Sequence, residues 1–155
     1  MKIAIIGAGA AGLLAGISAA SNGAQVTIYE KMRQPGKKML ITGKGRCNIT
    51  NICDIPEFIK NIPGNGRFLN SALRGFTNTD IVELLESHGL ETKVERGGRI
   101  FPVSDMAKDV VNKLVDIYTG LGGKLVTDCK VHGVVTKDGA VLGVKTVNGF
   151  YASDA

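Results

Sequence analysis

The sequence predicts an α/β fold: a Rossmann-like dinucleotide-binding domain with a parallel β-α-β core and an added β-meander. Three observations predict it. An isoleucine-rich run, Lys2–Ile6, ends at a glycine; Gly7, Gly9 and Gly12 then form G-x-G-x-x-G at the head of a helix of small residues; and Glu30 closes a second apolar run 18 residues after Gly12.

The continuous apolar character of Lys2–Ile6 predicts a strand buried on both faces. A helix over Ala10–Ser21 follows, with Leu13, Leu14 and Ile17 on its packing side, and "NG" at 22 and 23 stops it in a left-handed cap. Gln25–Tyr29 is the second buried strand, parallel to the first. Residues 31–51 lose all periodicity, and Pro35, Gly36, Gly43 and Gly45 punctuate a long basic loop, a length that compact domains reserve for functional loops. Residues 56–76 read as short helical pieces broken by "PGNG". Thr77 and Asp80 form a capping box for a helix closed by Gly89. "ETKVERGGRIFPVS" reads as a hairpin turning at Gly97 and Gly98. Ser104 is placed as the cap of a helix with Val110, Leu114, Ile117 and Leu121 at helical spacing, ended by Gly122 and Gly123. Three strands follow, at 124–128, 131–136 and 141–147, with turns at "KDGA" and "NG" before "FYA".

A length of 155 residues fits one domain or a piece of a larger protein. The chain stops at "YASDA" without the tail or helix that usually finishes a domain, which reads as a fragment. Apolar residues at 44% and charged residues at 21% are ordinary, whereas 21 glycines exceed the usual share of roughly 7% and call for many turns or close backbone approaches. The net charge of +5 comes from scattered cations, and the absence of Trp leaves no visible stacking platform, so nucleic acid is disfavoured as a partner. The early apolar stretch carries four glycines, a single preceding lysine and no cleavage region, and no run of about 20 apolar residues occurs. A cytoplasmic protein without a membrane span is expected. Cys47, Cys53 and Cys129 are odd in number and lack a C-x-x-C pair, so reduced thiols are expected rather than disulfides or zinc; a Cys47–Cys53 redox pair is the alternative.

The fingerprint divides its work among residues. Gly7 permits the tight turn, Gly9 lets backbone approach a pyrophosphate, and Gly12 lets helix and strand pack closely, while the helix N-terminus offers free N–H groups. Glu30 would accept hydrogen bonds from ribose hydroxyls and repel a 2′-phosphate, favouring FAD or NAD over NADP. Lys44 and Arg46 are placed near phosphates, Lys37 and Lys38 in solvent, and Asn48 and Asn51 either on their own turns or on a cofactor edge. The sequon at Asn48 is read as accidental, and His88 and His132 as ordinary histidines. No Ser-His-Asp or paired-carboxylate arrangement is visible, as expected where a cofactor carries the redox step, and the catalytic residues stay unknown.

The fingerprint, Glu30, "GKKMLITGKGRCNITN" and "GRIFPVSDMAKDVVNKL" together resemble the BaiN/YhiN-type bacterial NAD(P)/FAD-dependent oxidoreductases, flavoproteins with two dinucleotide-binding domains. The resemblance covers essentially the whole chain, and its specific part is S/T-G-x-G-R-C-N-x-T-N. It implies that Gly7, Gly9, Ala10, Ala11 and Gly12 meet the FAD pyrophosphate, that Glu30 and Lys31 meet or flank the ribose, and that Val131 pairs its backbone with the adenine edge. It also implies that residues 42–48, with Thr42, Gly43, Gly45, Arg46, Cys47 and Asn48, lie against the cofactor. Resembling proteins are more than twice as long, so residues 1–155 correspond to the N-terminal part of an FAD-binding domain, without the substrate domain and the C-terminal return segment. The implied activity is flavin-mediated hydride transfer from NAD(P)H to a small organic substrate, such as an enone-type or steroid-like compound, with the fragment itself inactive. The alternatives are a nucleotide-binding module without redox activity and a flavoprotein acting on RNA.

Overall fold

The computed structural model describes residues 1–155. In chain order the elements are β1 (Lys2–Ile6), α1 (Ala10–Ser21), β2 (Gln25–Tyr29), β3 (Thr50–Asn51), α2 (Ile55–Lys60), α3 (Asn70–Gly75), α4 (Asn78–Ser87), β4 (Thr92–Glu95), β5 (Arg99–Pro102), α5 (Ala107–Gly120), β6 (Lys124–Val126), β7 (Val131–Lys137), β8 (Ala140–Thr146) and β9 (Gly149–Ala152). Two compact units divide them. One joins Met1–Met39 to Leu114–Ala155 and the other is Leu40–Lys113, so α5 starts in the second and ends in the first. No helix is long and apolar enough to cross a membrane.

The first unit is built on a parallel sheet in the order β1-β2-β6, with Ile5 opposite Ile28 and Thr27 opposite Lys124. Helix α1 packs on it through Leu13, Gly16, Ile17 and Ala20. Gly16 is obligatory there, since a Cβ would stand 2.9 Å from both Ile28 and the Tyr118 ring. Tyr118 is fully buried and its hydroxyl donates to the carbonyls of Val26 (2.8 Å) and Lys124 (2.9 Å), tying β2 to the approach of β6. A separate antiparallel sheet, β7-β8-β9, meets the parallel one through Tyr29, Cys129 and Val144, with Ala4, Val126 and Val131 packed around them and Tyr151 tilted 5.3 Å from the Tyr29 ring.

Several expectations are corrected here. β1 is not buried on both faces: Lys2 and Ile6 are exposed and the three residues between them only half-buried, because β1 is an edge strand. Along that edge Asp154 N–H donates to Lys2 O (2.8 Å) and Ala4 N–H to Ala155 O (2.9 Å). The strand at 124 joins the parallel core, so the meander consists of β7, β8 and β9 alone. Leu121 lies beyond the end of α5 and is exposed.

The second unit holds an antiparallel sheet in the order β3-β5-β4. Residues 31–51 are not wholly irregular: short 3-10 turns within Met39–Gly45, interrupted by a kink at Thr42, Gly43 and Lys44, precede β3, where Thr50 pairs with Ile100. The β4-β5 hairpin turns at Gly97 (φ 79°) and Gly98 (φ 71°). The Thr77–Asp80 capping box forms in both directions, and Gly89 (φ 81°) follows the end of α4. Ser104 does not cap α5. Its hydroxyl accepts from Met106 N–H at 3.3 Å, and Asp105 adopts a left-handed φ of 56°, which delays the helix to Ala107.

Candidate functional site

In the first unit the three glycines of the turn between β1 and α1 differ in backbone conformation and in the space around them. Gly7 has φ 100°, a conformation that side chains resist, and its N–H donates to Tyr29 O at 2.8 Å. A Cβ on Gly12 would collide with the Gly7 carbonyl, so Gly12 permits helix and strand to touch. A Cβ on Gly9 would meet nothing within 4 Å, and Gly9, Ala10 and Ala11 are exposed. Gly9 is the N-cap and offers no side-chain acceptor, no acid lies in the first turn, and the Gly9 carbonyl takes its helical bond from Leu13 N–H. The amides before Leu13 are thus left for an external acceptor with negative charge.

Glu30 is fixed beside this turn. One carboxylate oxygen accepts from Ala8 N–H and the other from Met32 N–H, each at 2.8 Å. Its backbone joins the same frame, donating to Val126 O (2.8 Å) and accepting from Cys129 N–H (2.9 Å). Each carboxylate oxygen keeps a free lone pair, so a diol can still donate to a side chain held in one place. Lys31 is exposed, and Val131 opens β7, half-buried against the Tyr29, Cys129 and Val144 cluster. The structure brings Gly7, Gly9, Ala10, Ala11, Gly12, Glu30, Lys31 and Val131 together in one unit. A cleft of about 560 Å³ in the same unit, lined by Lys2, Ala24, Gln25 and Lys124, lies at the starts of the strands. Ligands of open α/β sheets bind at the carboxyl ends, where the glycine turn is.

These residues fit the adenosine and pyrophosphate of a dinucleotide: an open glycine, unsatisfied helix amides, and a carboxylate held for hydroxyls.

Thr42, Gly43, Gly45, Arg46, Cys47 and Asn48 belong to the second unit. Their backbone is unusual. Gly43 (φ 55°), Lys44 (59°), Gly45 (86°) and Cys47 (62°) are all left-handed, and the turn is closed by Cys47 N–H donating to Thr42 O at 3.1 Å. Left-handed non-glycine residues are costly and are kept where surrounding contacts enforce them. Those contacts are visible. Arg46 donates to Glu95 (2.7 Å) and Asp105 (3.3 Å) and lies over the Phe101 ring, while Lys93 binds Asp105 at 2.6 Å. Gly43 comes so close to the ring that a Cβ would stand 2.9 Å from it.

The structure therefore gives Arg46 two carboxylate partners that the sequence did not reveal. The hydrogen bond to Glu95 raises its pKa, and the bonded Lys93 ammonium holds the Asp105 carboxyl below the usual carboxylate range. Asn48, with its amide nitrogen turned to the carbonyls of Thr50 (3.1 Å) and Ile100 (3.3 Å), holds its own turn. Asn51 likewise accepts from Cys53 N–H and donates to Gly97 O. Burial pushes the Cys47 thiol up, against a hydrogen bond with Thr42; all three cysteines are free. Phe101, Glu95 and Asp105 were missed as parts of this arrangement, since their positions depend on the hairpin pairing Lys93 opposite Phe101.

Comparison with known proteins follows the same lines. Residues 1–154 match the family described as the HI0933-like protein Rossmann domain. The chain is 38% identical over 112 residues to a ribosomal RNA dihydrouridine synthase of Escherichia coli (strain K12), covering 72% of this chain and 27% of that protein. It is 41% identical over 138 residues to a 3-dehydro-bile acid delta(4,6)-reductase of Clostridium scindens, covering 77% of this chain and 31% of the relative. The chain thus spans about a third or less of the length of these relatives. Among solved structures, a 3-ketosteroid-delta4-(5alpha)-dehydrogenase from Rhodococcus jostii RHA1 shares the fold with a TM-score of 0.70 at 16% identity, over 98% of this chain and 43% of that one.

Proposed function

The chain belongs to the HI0933-like family through its Rossmann domain, and from that premise we propose that it is the nucleotide-holding part of an FAD-dependent oxidoreductase acting in the bacterial cytoplasm. The observation that carries the reading is the glycine turn, where Gly9 is open and exposed and the Glu30 carboxylate is clamped on Ala8 N–H beside it.

On this reading the amides of Ala10, Ala11 and Gly12 take the pyrophosphate, and Glu30 accepts from the adenosine ribose with Lys31 at its flank. Val131 offers backbone to the adenine. Residues 42–48 are assigned to the cofactor on the strength of their motif. In that segment Arg46 already has two carboxylate partners, so its part is to hold the loop's shape. Bound flavin supplies two-electron hydride chemistry that no side chain can supply. The net reaction adds a hydride from NAD(P)H and a proton from water or an acidic group across a carbon–carbon double bond conjugated to a carbonyl, leaving NAD(P)+. The relatives' names support this class, since making dihydrouridine and reducing delta(4,6) bonds both add hydrogen to carbon–carbon double bonds.

A small organic acceptor is the first reading of the substrate. A uridine in RNA is the second, favoured by the name of the Escherichia coli relative. The test is to purify the protein as it is expressed and look for yellow colour and for FAD released on denaturation. A colourless preparation that takes up no added FAD overturns the proposal, and one that binds ADP without FAD would leave a nucleotide-binding module without redox activity.

A further inference from the structure

Between Glu57 and Asp80 the chain carries no acidic residue, and Lys60, Arg67 and Arg74 are its charges. All three are exposed and none has an ion-pair partner. Elsewhere in the same unit the cations Arg46 and Lys93 are neutralised by Glu95 and Asp105. What sets the segment apart is its lack of acids: it has three cations and no carboxylate, whereas the rest of the unit has seven cations and nine acids.

The local fold explains how that charge is displayed. Asp54 caps α2, accepting from Glu57 N–H. The following turn is seated on α2 by Gly66, which is buried and whose Cβ would collide with the Ile59 carbonyl. A 3-10 turn, Gly66–Leu69, then runs directly into α3. With Gly66 facing α2, its neighbours Arg67 and Phe68 face out, and Phe68 is 81% exposed. Phe76 is exposed too, at 42%. Arg74 is oriented by its Nε bond to Asn70 (2.9 Å), which leaves its remaining guanidinium donors free. Ser71 adds an exposed polar group between the arginines, and Asn65 another just before them.

From this geometry we infer that the surface formed by Lys60, Arg67, Phe68, Arg74 and Phe76 contacts single-stranded RNA, the cations meeting phosphates and Phe68 stacking on a base. The inference rests on the second reading above, in which the acceptor is a uridine in RNA. Unpaired cations in an acid-free segment complement a polyanion, and the exposed Phe68 ring next to Arg67 supplies the stacking that single strands require. A membrane fits less well. The helices are six residues long, too short to lay a continuous apolar face in a bilayer surface.

The experiment measures binding of a short, uridine-rich single-stranded RNA to the protein as expressed, by fluorescence anisotropy over a salt series. Phe68→Ala is expected to weaken binding roughly tenfold. The pair Arg67→Gln and Arg74→Gln is expected to flatten the log–log salt slope by about 0.7 for each phosphate contact removed. Unchanged circular dichroism shows that the variants fold, and Lys60→Gln provides a further charge variant on a different helix. Wild-type protein that does not bind the RNA at low salt overturns the inference, as do variants that bind like wild type. Binding to vesicles of anionic phospholipid in place of RNA overturns it in favour of a membrane. The flavin reading is scored separately, by bound FAD and by reduction of a small conjugated enone with NADPH or NADH. Protein that holds FAD and reduces the enone but ignores RNA sinks this surface alone; protein that binds RNA through these residues but holds no flavin sinks the flavin reading alone.

Discussion

The guanidinium of Arg46 lies 4.2 Å from the centroid of the Phe101 ring while one of its nitrogens donates to Glu95 at 2.7 Å. Phe101 is 1% exposed, so the cation covers a core residue and is itself clamped from the hairpin side. This contact holds a loop in which four of five consecutive residues, 43–47, are left-handed. Arg46→Gln removes both the charge and the stacked plane. Faster hydrogen exchange is expected at Cys47 N–H, whose bond to Thr42 O closes the turn, with core amides of β5 unchanged. Equal protection in both proteins would show that the loop keeps its shape without Arg46.

The same cluster sets a pH dependence. The Asp105 carboxyl is held low chiefly by its hydrogen bond to Lys93, with Arg46 adding to the effect. A depressed folded pKa means that its contribution is fully present above the unfolded carboxylate value of about 3.9 and is lost as pH falls through the lowered folded value. Asp105→Asn is therefore expected to lower the urea midpoint at neutral pH, less so at high salt, and to match wild type in strong acid. A difference that persists in acid strong enough to protonate Asp105 in the folded protein would assign the effect to something other than ionisation.

Gly9 and Gly12 separate binding from folding. A Cβ at position 9 meets nothing, so Gly9→Ala is expected to keep wild-type stability and to weaken FAD binding at least about tenfold by standing where the pyrophosphate approaches. A Cβ at position 12 meets the Gly7 carbonyl, and Gly12→Ala is expected to cost about 3 kcal/mol or more. Thermal melts and flavin titration on both variants decide it. Gly9→Ala that binds FAD normally would remove the turn from the cofactor site.

What the sequence disclosed and what it hid follow from the range of the interactions. β1, α1 and β2 carry their signals in their own residues, the isoleucine run, the glycine turn and the Asn22-Gly23 stop, and all three are found at the expected bounds. The capping box at Thr77 is equally local. Ser104 misled because a cap signal takes effect only if the next residues are helical, and Asp105 is not. The place of β6 beside β2 depends on a pairing between Thr27 and Lys124, far apart in sequence. In the candidate site, the glycine spacing and Glu30 were legible because the motif encodes their geometry. The partners of Arg46 were not, because Glu95 and Asp105 are brought to it by a hairpin and a left-handed residue that no spacing rule links to the loop.

Tyr118 is a second non-local feature with a measurable cost. Its ring fills the space left by Gly16 and Gly123, and its hydroxyl bonds two carbonyls from different strands. Tyr118→Phe keeps the ring and removes the donor, so a loss of roughly 1–3 kcal/mol is expected in urea unfolding, with an unchanged m-value. A loss near zero would mean that both carbonyls are satisfied without it.

The three thiols divide by access. Cys47 and Cys129 are 4% and 0% exposed, whereas Cys53 is only half-buried. Burial raises the Cys47 pKa, and Cys53 is raised by its own partial burial and then by Glu57 and Asp54. Both thiols are therefore mostly protonated at neutral pH, and the thiolate is the species that reacts. Alkylation of the native protein with iodoacetamide is expected to be slow everywhere and to modify Cys53 first, quickening as pH rises. Cys47 and Cys129 should react at a comparable rate only in denaturant, where burial is removed. Peptide mapping by mass spectrometry reads the order directly. Modification of Cys47 ahead of Cys53 in the folded protein would show that the 42–48 loop opens to solvent, and that the Arg46 clamp does not hold the conformation described.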